Sequence, residues 1–263
     1  MLHWHLVCGI SDTNQTIKGN FAAAAAGNAA TGWDMRRIER PKSLAASALE
    51  RLRQSIVQGD LGLGQPISER QLAESLGVSK TPVREALAQL RVEGLIQILP
   101  QKGAFVFTLS AKDIVYLCEL RLTLESSALK LAYQRNREKL IHRLKAVLAH
   151  MIAAQEKQDT RSYLHCDTQF HEVFFATCGN PLLEAAYATH VGKIAALRTH
   201  LAMKPLHTVR SFEEHAEMIR LLENGAIAGA ISVLEQHIGR TSATYSESVD
   251  DIAEADKSNG VAA

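Results

Sequence analysis

Between Ser68 and Leu90 two short amphipathic segments stand on either side of Gly77-Val78. Isolated helices of under about 12 to 15 residues are marginal in water, so neither segment holds its shape unless its apolar stripe is buried against a neighbour. The first opens on Ser68-Glu69-Arg70-Gln71, the S-x-x-Q form of a capping box, and continues through Leu72 and Leu76. Gly77 suits the turn, Ser79 is placed to cap the second segment, and Pro82 is tolerated in its first turn. In that second segment Val83, Leu87 and Leu90 share one face and point to a core, while Lys80, Arg84, Ala88 and Arg91 share another. Two short helices joined by a glycine-containing turn predict a helix-turn-helix.

The flanks extend this unit. Leu44, Ala48, Leu52 and Ile56 predict a preceding helix, closed at Gly59 and followed by the Gly-rich turn Leu61-Gly62-Leu63-Gly64-Gln65-Pro66. After Gly94, the runs Leu95–Leu99 and Ala104–Thr108 flank Pro100-Gln101-Lys102-Gly103, the pattern of a hairpin with one cation and a permissive glycine at its tip. Residues 35–110 therefore read as a winged helix-turn-helix. Charge agrees with that reading. The chain's net +1 divides into −1 over residues 1–35, +4 over 36–110 (11 basic against 7 acidic), +1 over 111–248 and −3 over 249–263. Cations at the N-terminal end of a helix, with Arg84 able to grip guanine bidentately, are what major-groove reading requires, and Lys102 suits phosphate or minor-groove contact.

Residues 111–248 are helical in pattern, so the fold class is mainly α. Ser110 caps a helix through Leu117, Leu120, Leu124 and Leu131; Asn136 starts another through Leu140, Leu144, Val147 and Met151; Asp159 precedes a third, ending at Cys178. Asn180-Pro181 opens a fourth, and two more run over about 210–223 and 226–246, split at Asn224-Gly225. Six antiparallel helices make a bundle of ordinary domain size. Residues 1–34 lack sustained periodicity, and Met35 reads as a natural start, leaving them as a disordered extension or an over-long reading frame; residues 249–263 read as a disordered acidic tail. No apolar run approaches the roughly 20 residues of a membrane span, and Cys8, Cys118, Cys166 and Cys178 show no disulfide framework, so a cytoplasmic protein with free thiols is expected.

Among 11 histidines, His171 is distinguished by Asp167 one turn before it: positions i and i+4 put a carboxylate and an imidazole on one helix face, able to grip one ion. His215 and His237 lie on the last two helices, where antiparallel packing brings both inward. Spacing alone leaves packed core histidines as the alternative.

Two stretches resemble known families. Val78-Ser79-Lys80-Thr81-Pro82-Val83-Arg84-Glu85-Ala86-Leu87, followed by Glu93-Gly94-Leu95 and a glycine-tipped wing, resembles the GntR family of bacterial transcription regulators. The resemblance implies that Arg84 reads bases, that Lys80 and Thr81 contact an operator with Ser79 beside them, that Glu69 and Arg70 sit at the entrance of the motif, and that Lys102 and Gly103 form the wing tip. The family usually has Arg at the position of Lys80, and Lys without the planar fork suits phosphate contact. For Glu69, pairing within the domain is an equal alternative. Further on, Asp167-x-x-x-His171, Cys178-Gly179-Asn180-Pro181, Glu214-His215 and Glu235-Gln236-His237 resemble, in order, the FCD effector domain of the FadR-type branch. That resemblance implies a divalent metal held by Asp167, His171, His215 and His237, and a small organic acid effector completing its coordination. The N3O donor set suits Zn, Ni, Mn or Fe. Arg121, four residues before Glu125, is either the partner of the effector's carboxylate or an i,i+4 partner of Glu125.

The expected function is thus a homodimeric repressor on a palindromic double-stranded operator, its grip controlled by the bound acid. The competing readings are a metal-dependent enzyme acting on a small carboxylic acid, against which no separate general base or nucleophile motif is found, and a regulator whose metal is purely structural.

Overall fold

Ser43 starts the first helix by accepting the Ala46 N–H at 3.1 Å, and α1 (Leu44–Val57) buries Ala48, Leu52 and Ile56. Leu44, one turn short of the core, is exposed. The computed structural model describes residues 42–201 and 205–258; the expectations for residues 1–34 and 35–41 and for 259–263 lie outside the described residues. Ser68 accepts the Gln71 N–H and opens α2 (Glu69–Leu76), which Gly77 closes in the left-handed region at φ 66°. The third helix, α3 (Lys80–Val92), begins after Ser79, which holds the extended N-cap conformation without a side-chain cap hydrogen bond. The cap expected of Ser79 is therefore positional, and its hydroxyl is not used to close the helix end.

The Gly-rich turn before α2 ends in a feature the apolar pattern did not reveal. Pro66–Ile67 is a two-residue strand, β1, pairing antiparallel with β3 (Gly103–Val106), which in turn pairs with β2 (Ile96–Leu99) in the order β1-β3-β2. Two residues carry no alternation to detect, and Pro66 is acceptable there because β1 is an edge strand. Ile56, Val83, Leu90 and Val106, all fully shielded, form the centre of this winged helix.

Among the described residues, the expected six helices of the remainder are five. Ser110 and Asp113 form a reciprocal capping box that starts α4 (Ala111–Glu156), and the helix continues past the break expected at Asn136. There the backbone leaves helical geometry (φ −143°, ψ 43°), so the chain kinks without stopping. The kink is held from three side chains. Asn136 Nδ2 donates to Thr177 O at 2.8 Å, Arg135 donates to the carbonyls of Cys178 and Gly179, and Arg137 donates to those of Leu222 and Glu223. Both arginines thus satisfy carbonyls at the C-terminal ends of neighbouring helices, where cations are favoured. Those neighbours are α5 (Thr160–Cys178), capped by Asp159, and α7 (Pro205–Glu223). Asn180 Oδ1 accepts from Leu182 N–H to start α6 (Pro181–Leu201), and α8 is Ile227–Ser258. The stretch expected as a solvated acidic tail is therefore helical up to Ser258; Ala, Glu and Lys favour helix there, and no Gly or Pro intervenes before Gly260. Leu129, Leu140, Leu144, Phe170, Phe174 and Leu222 fill the bundle core.

One helix serves both parts. Ala196 of α6 is fully buried within the winged helix's own core cluster. A Cβ on Gly192 would stand 3.1 Å from Leu95 Cδ1, so α6 meets the start of the wing at van der Waals contact, and Thr199 meets Gly59 at the end of α1.

Candidate functional site

Two sites follow from this framework. On the winged helix, the burial of Val83, Leu87 and Leu90 turns Lys80, Thr81, Arg84 and Arg91 outward together. Arg84 is not isolated: its Nε lies 2.6 Å from Glu69 Oε2, across the turn of the motif, with both side chains substantially exposed. Arg70 pairs one turn along its own helix with Glu74 at 3.4 Å. Glu69 is therefore paired within the domain, the alternative held open for it. At the wing tip Lys102 and Gly103 are exposed; Gly103 has φ 103°, and so does its neighbour Gln101 adopt the left-handed region, at φ 62°. Nothing lies within 4 Å of where a Gly103 side chain would begin, so the tip presents bare backbone to solvent.

The second site is inside the bundle. His171 on α5, His215 on α7 and His237 on α8 are almost completely buried, and one nitrogen from each lies within 4.8 Å of the others. Packing fixes each ring. His215 stacks on Phe170 with centroids 4.1 Å apart, and His171 meets Phe174 edge to face. Carboxylates fix two of the tautomers: Glu125 Oε2 is 2.7 Å from His171 Nδ1, and Glu214 Oε2 is 2.8 Å from His237 Nδ1. A carboxylate taking the Nδ1 proton leaves the lone pair on Nε2, and His171 Nε2 faces His215 Nε2 at 3.3 Å. Burial lowers the pKa of all three, to about 4 for His215, with Arg121 beside His171 and the neighbouring imidazoles acting in the same direction. Three neutral imidazoles, two of them oriented with the lone pair on Nε2, are the donor set a borderline divalent ion takes.

Asp167 is placed differently from the expected ligand set. It is buried in the same cage, its Oδ1 3.8 Å from His215 Nδ1, but its Oδ2 lies 2.6 Å from Arg198 Nε and its Oδ1 accepts from Ser211. Burial opposes ionisation of this carboxyl, yet Arg198 and the imidazoles outweigh that and hold its pKa well below the carboxylate range. Arg121 makes the i,i+4 pair with Glu125 at 2.6 Å, both buried, and its Nη2 also reaches His171 Nε2 at 3.0 Å. Glu125, Glu214 and Arg198 were not singled out for these roles by spacing. Glu125 and Glu214 stood in quoted motifs, but Arg198 lies in an apolar stretch of α6 with no pattern to mark it.

Comparison with known proteins resolves the family. Residues 44–106 match the model "Bacterial regulatory proteins, gntR family" and residues 116–240 match the FCD domain. The chain is 30% identical over 231 residues to the HTH-type transcriptional repressor NanR of Klebsiella aerogenes, covering 80% of this chain and 88% of that protein. This chain belongs to the GntR family, with an FCD domain as its C-terminal part. A NanR from Edwardsiella tarda is 30% identical over 241 residues, 82% of this chain and 91% of that one. Among solved structures, E. coli McbR/YncC superposes with a TM-score of 0.69 at 22% identity, over 78% of this chain and 98% of that one, and shows the same fold. The protein is a DNA-binding transcriptional regulator of the GntR/FCD type; members of the family are regulators and not enzymes, which removes the metal-dependent enzyme from consideration. Among the described residues no helix is long and apolar enough to cross a membrane.

Proposed function

We propose that this GntR/FCD regulator is a repressor, as the NanR relatives are named, whose operator affinity is set by a divalent metal and a small organic acid held in the buried cage. The observation that carries this reading is the convergence of three neutral, fully buried imidazoles, two of them oriented by carboxylates on the outward nitrogen. His171, His215 and His237 would hold the ion, with Asp167 turning to it from Arg198; zinc, nickel, manganese or iron suit the set. The ion would supply a Lewis-acidic seat for the effector's carboxylate, and Arg121 would hold that carboxylate from the α4 side. On the winged helix, Arg84 reads bases after exchanging Glu69 for guanine, Lys80, Thr81, Ser79 and Arg70 contact phosphates, and Lys102 and Gly103 bring the wing against the backbone. The operator is palindromic and the protein a homodimer, so two recognition helices are presented a fixed distance apart. The link between the two sites is α6, whose Ala196 sits in the winged-helix core while Arg198, two residues on, sits in the cage.

The test is metal content by mass spectrometry together with operator binding, with and without EDTA and a panel of small carboxylic acids. Acid-induced loss of operator affinity that EDTA abolishes is the expected result. His171→Ala should lose the metal and the acid response while retaining operator binding; an undiminished metal content in that variant overturns the ligand assignment. Burial of all three imidazoles to 2% exposure or less also suits a purely structural ion. In that case EDTA would lower thermal stability, and no acid would change operator affinity.

A further inference from the structure

Two of the buried side-chain polar atoms that have no hydrogen-bond partner among the described residues, Arg198 Nη2 and His215 Nδ1, belong to residues that flank one buried carboxylate, Asp167, whose Oδ2 lies 2.6 Å from Arg198 Nε and whose Oδ1 lies 3.8 Å from His215 Nδ1. Buried polar atoms are almost always satisfied, and a cluster of exceptions marks a place for an ion or ligand. His215 Nδ1, in the tautomer that leaves its lone pair free, can be satisfied by a cation or a proton donor. Arg198 Nη2 cannot; it needs an acceptor. The guanidinium is fixed, with 7% of the residue exposed, Nη1 donating to Thr168 Oγ1 at 2.7 Å and Nε held against Asp167. The third nitrogen is thus a rigid donor in the cage that no protein atom takes up.

Charge sets what kind of acceptor fits. The acidic and basic side chains buried to 7% exposure or less, histidines aside, are Arg121 and Arg198 against Glu125 and Asp167, two of each sign. A divalent ion adds two positive charges that no buried carboxylate offsets, and a single carboxylate from a ligand leaves one of them. Uncompensated charge in a site this dry is costly.

We propose that Arg198 is a second anion-holding residue of the cage and that the acid recognised there is a small dicarboxylate. This rests on the reading that the cage holds a divalent ion and an acid. One carboxylate would meet the ion and Arg121; the other meets Arg198 Nη2, the guanidinium nitrogen that no protein atom takes up. Capture at Arg198 acts directly on α6, so the second carboxylate is the part of the ligand best placed to reach the winged helix through Ala196 and Gly192.

The experiment uses the full chain with its metal quantified, titrated calorimetrically with dicarboxylates from malonate to adipate and with monocarboxylates of matched length. At least one dicarboxylate should bind about tenfold or more tightly than its matched monocarboxylate, as expected for one further charge-assisted contact. Arg198→Gln should reduce that preference to about twofold or less and Arg198→Lys should retain part of it, the ratio of the two affinities being compared in each variant at equal, measured metal content. Equal affinity for the two series in the unaltered protein overturns the proposal without need of any variant, as does a preference that survives Arg198→Gln. If the protein carries no metal and binds neither series, the metal and effector reading fails as a whole; if it binds monocarboxylates alone, only the role of Arg198 fails.

Discussion

The neutral imidazole cage predicts an acid sensitivity that can be worked out in advance for metal-depleted protein. In the fold, burial disfavours the charged form of His215 and lowers its pKa from the usual 6.5 to about 4. A depressed histidine pKa means that protons bind more tightly to the unfolded chain. The stability it contributes is therefore complete above pH 6.5 and is lost as the pH falls from there through 4. The full difference is roughly 3 kcal/mol, of which about 2 kcal/mol disappears between pH 7 and pH 5. His171 and His237 are shifted in the same direction, so they steepen the loss. Asp167 works only at lower pH: its depressed pKa gives stability that is lost below its unfolded value of about 3.9, outside this window. Urea unfolding of EDTA-treated protein at pH 7.5 and 5.0 should show the midpoint falling by about 1 M or more at the lower pH, for a slope of 2 to 3 kcal/mol per molar. His215→Gln should recover about 2 kcal/mol of the pH dependence whatever it does to stability at pH 7.5. Coincident midpoints at the two pH values would refute the account, because they would mean that the three rings are already charged or solvated in the folded protein.

Further outcomes follow from the winged helix. Arg84→Ala should cost about 1 to 3 kcal/mol in operator binding and relax preference at one base pair, whereas Lys102→Ala should weaken all sequences alike and flatten the salt dependence, as fluorescence anisotropy over a salt series would show. Glu69→Gln removes a negative charge from the DNA-facing surface and should raise affinity for random DNA while changing stability by less than about 1 kcal/mol, since the pair it makes with Arg84 is exposed. Gly77→Ala meets no atom within 4 Å, so its cost in thermal unfolding should be the strain of a left-handed alanine alone, about 1 kcal/mol.

What could be read from the sequence was what is local. Ser68, Gly77 and the period of Val83, Leu87 and Leu90 give the helix-turn-helix because caps, turns and apolar stripes act over one or two turns. The same logic located Asp159, Asn180-Pro181 and the break at Gly225. It failed at Asn136, where an ordinary helix-start residue sits inside α4, because the interactions that hold the kink come from Thr177, Cys178, Gly179, Leu222 and Glu223, some 41 to 86 residues away. It failed for β1 because two residues carry no period. In the cage, the convergence of three histidines from three helices came through the family resemblance and not from spacing, which left packed core histidines open. Arg198 had neither spacing nor motif; its meaning is its contact with Asp167, a residue on another helix.

That contact also bears on how a cage inside the bundle can influence the recognition helix of the winged helix. Regulation of this kind needs only about 1 to 3 kcal/mol of coupling between the sites, but it needs an element that both sites bias. Most of the winged helix's core is its own. Ala196 is the exception, a fully buried residue supplied by α6. At Gly192 and Ala196 the residues of α6 are small, so the helix backbone lies close to Leu95. A displacement of α6 of even a few tenths of an ångström would be felt at Leu95, where the recognition helix passes into the wing. The group most able to cause one is a buried guanidinium on the same helix that changes partners, and among the described residues Arg198, two positions from Ala196, is the α6 side chain in contact with Asp167.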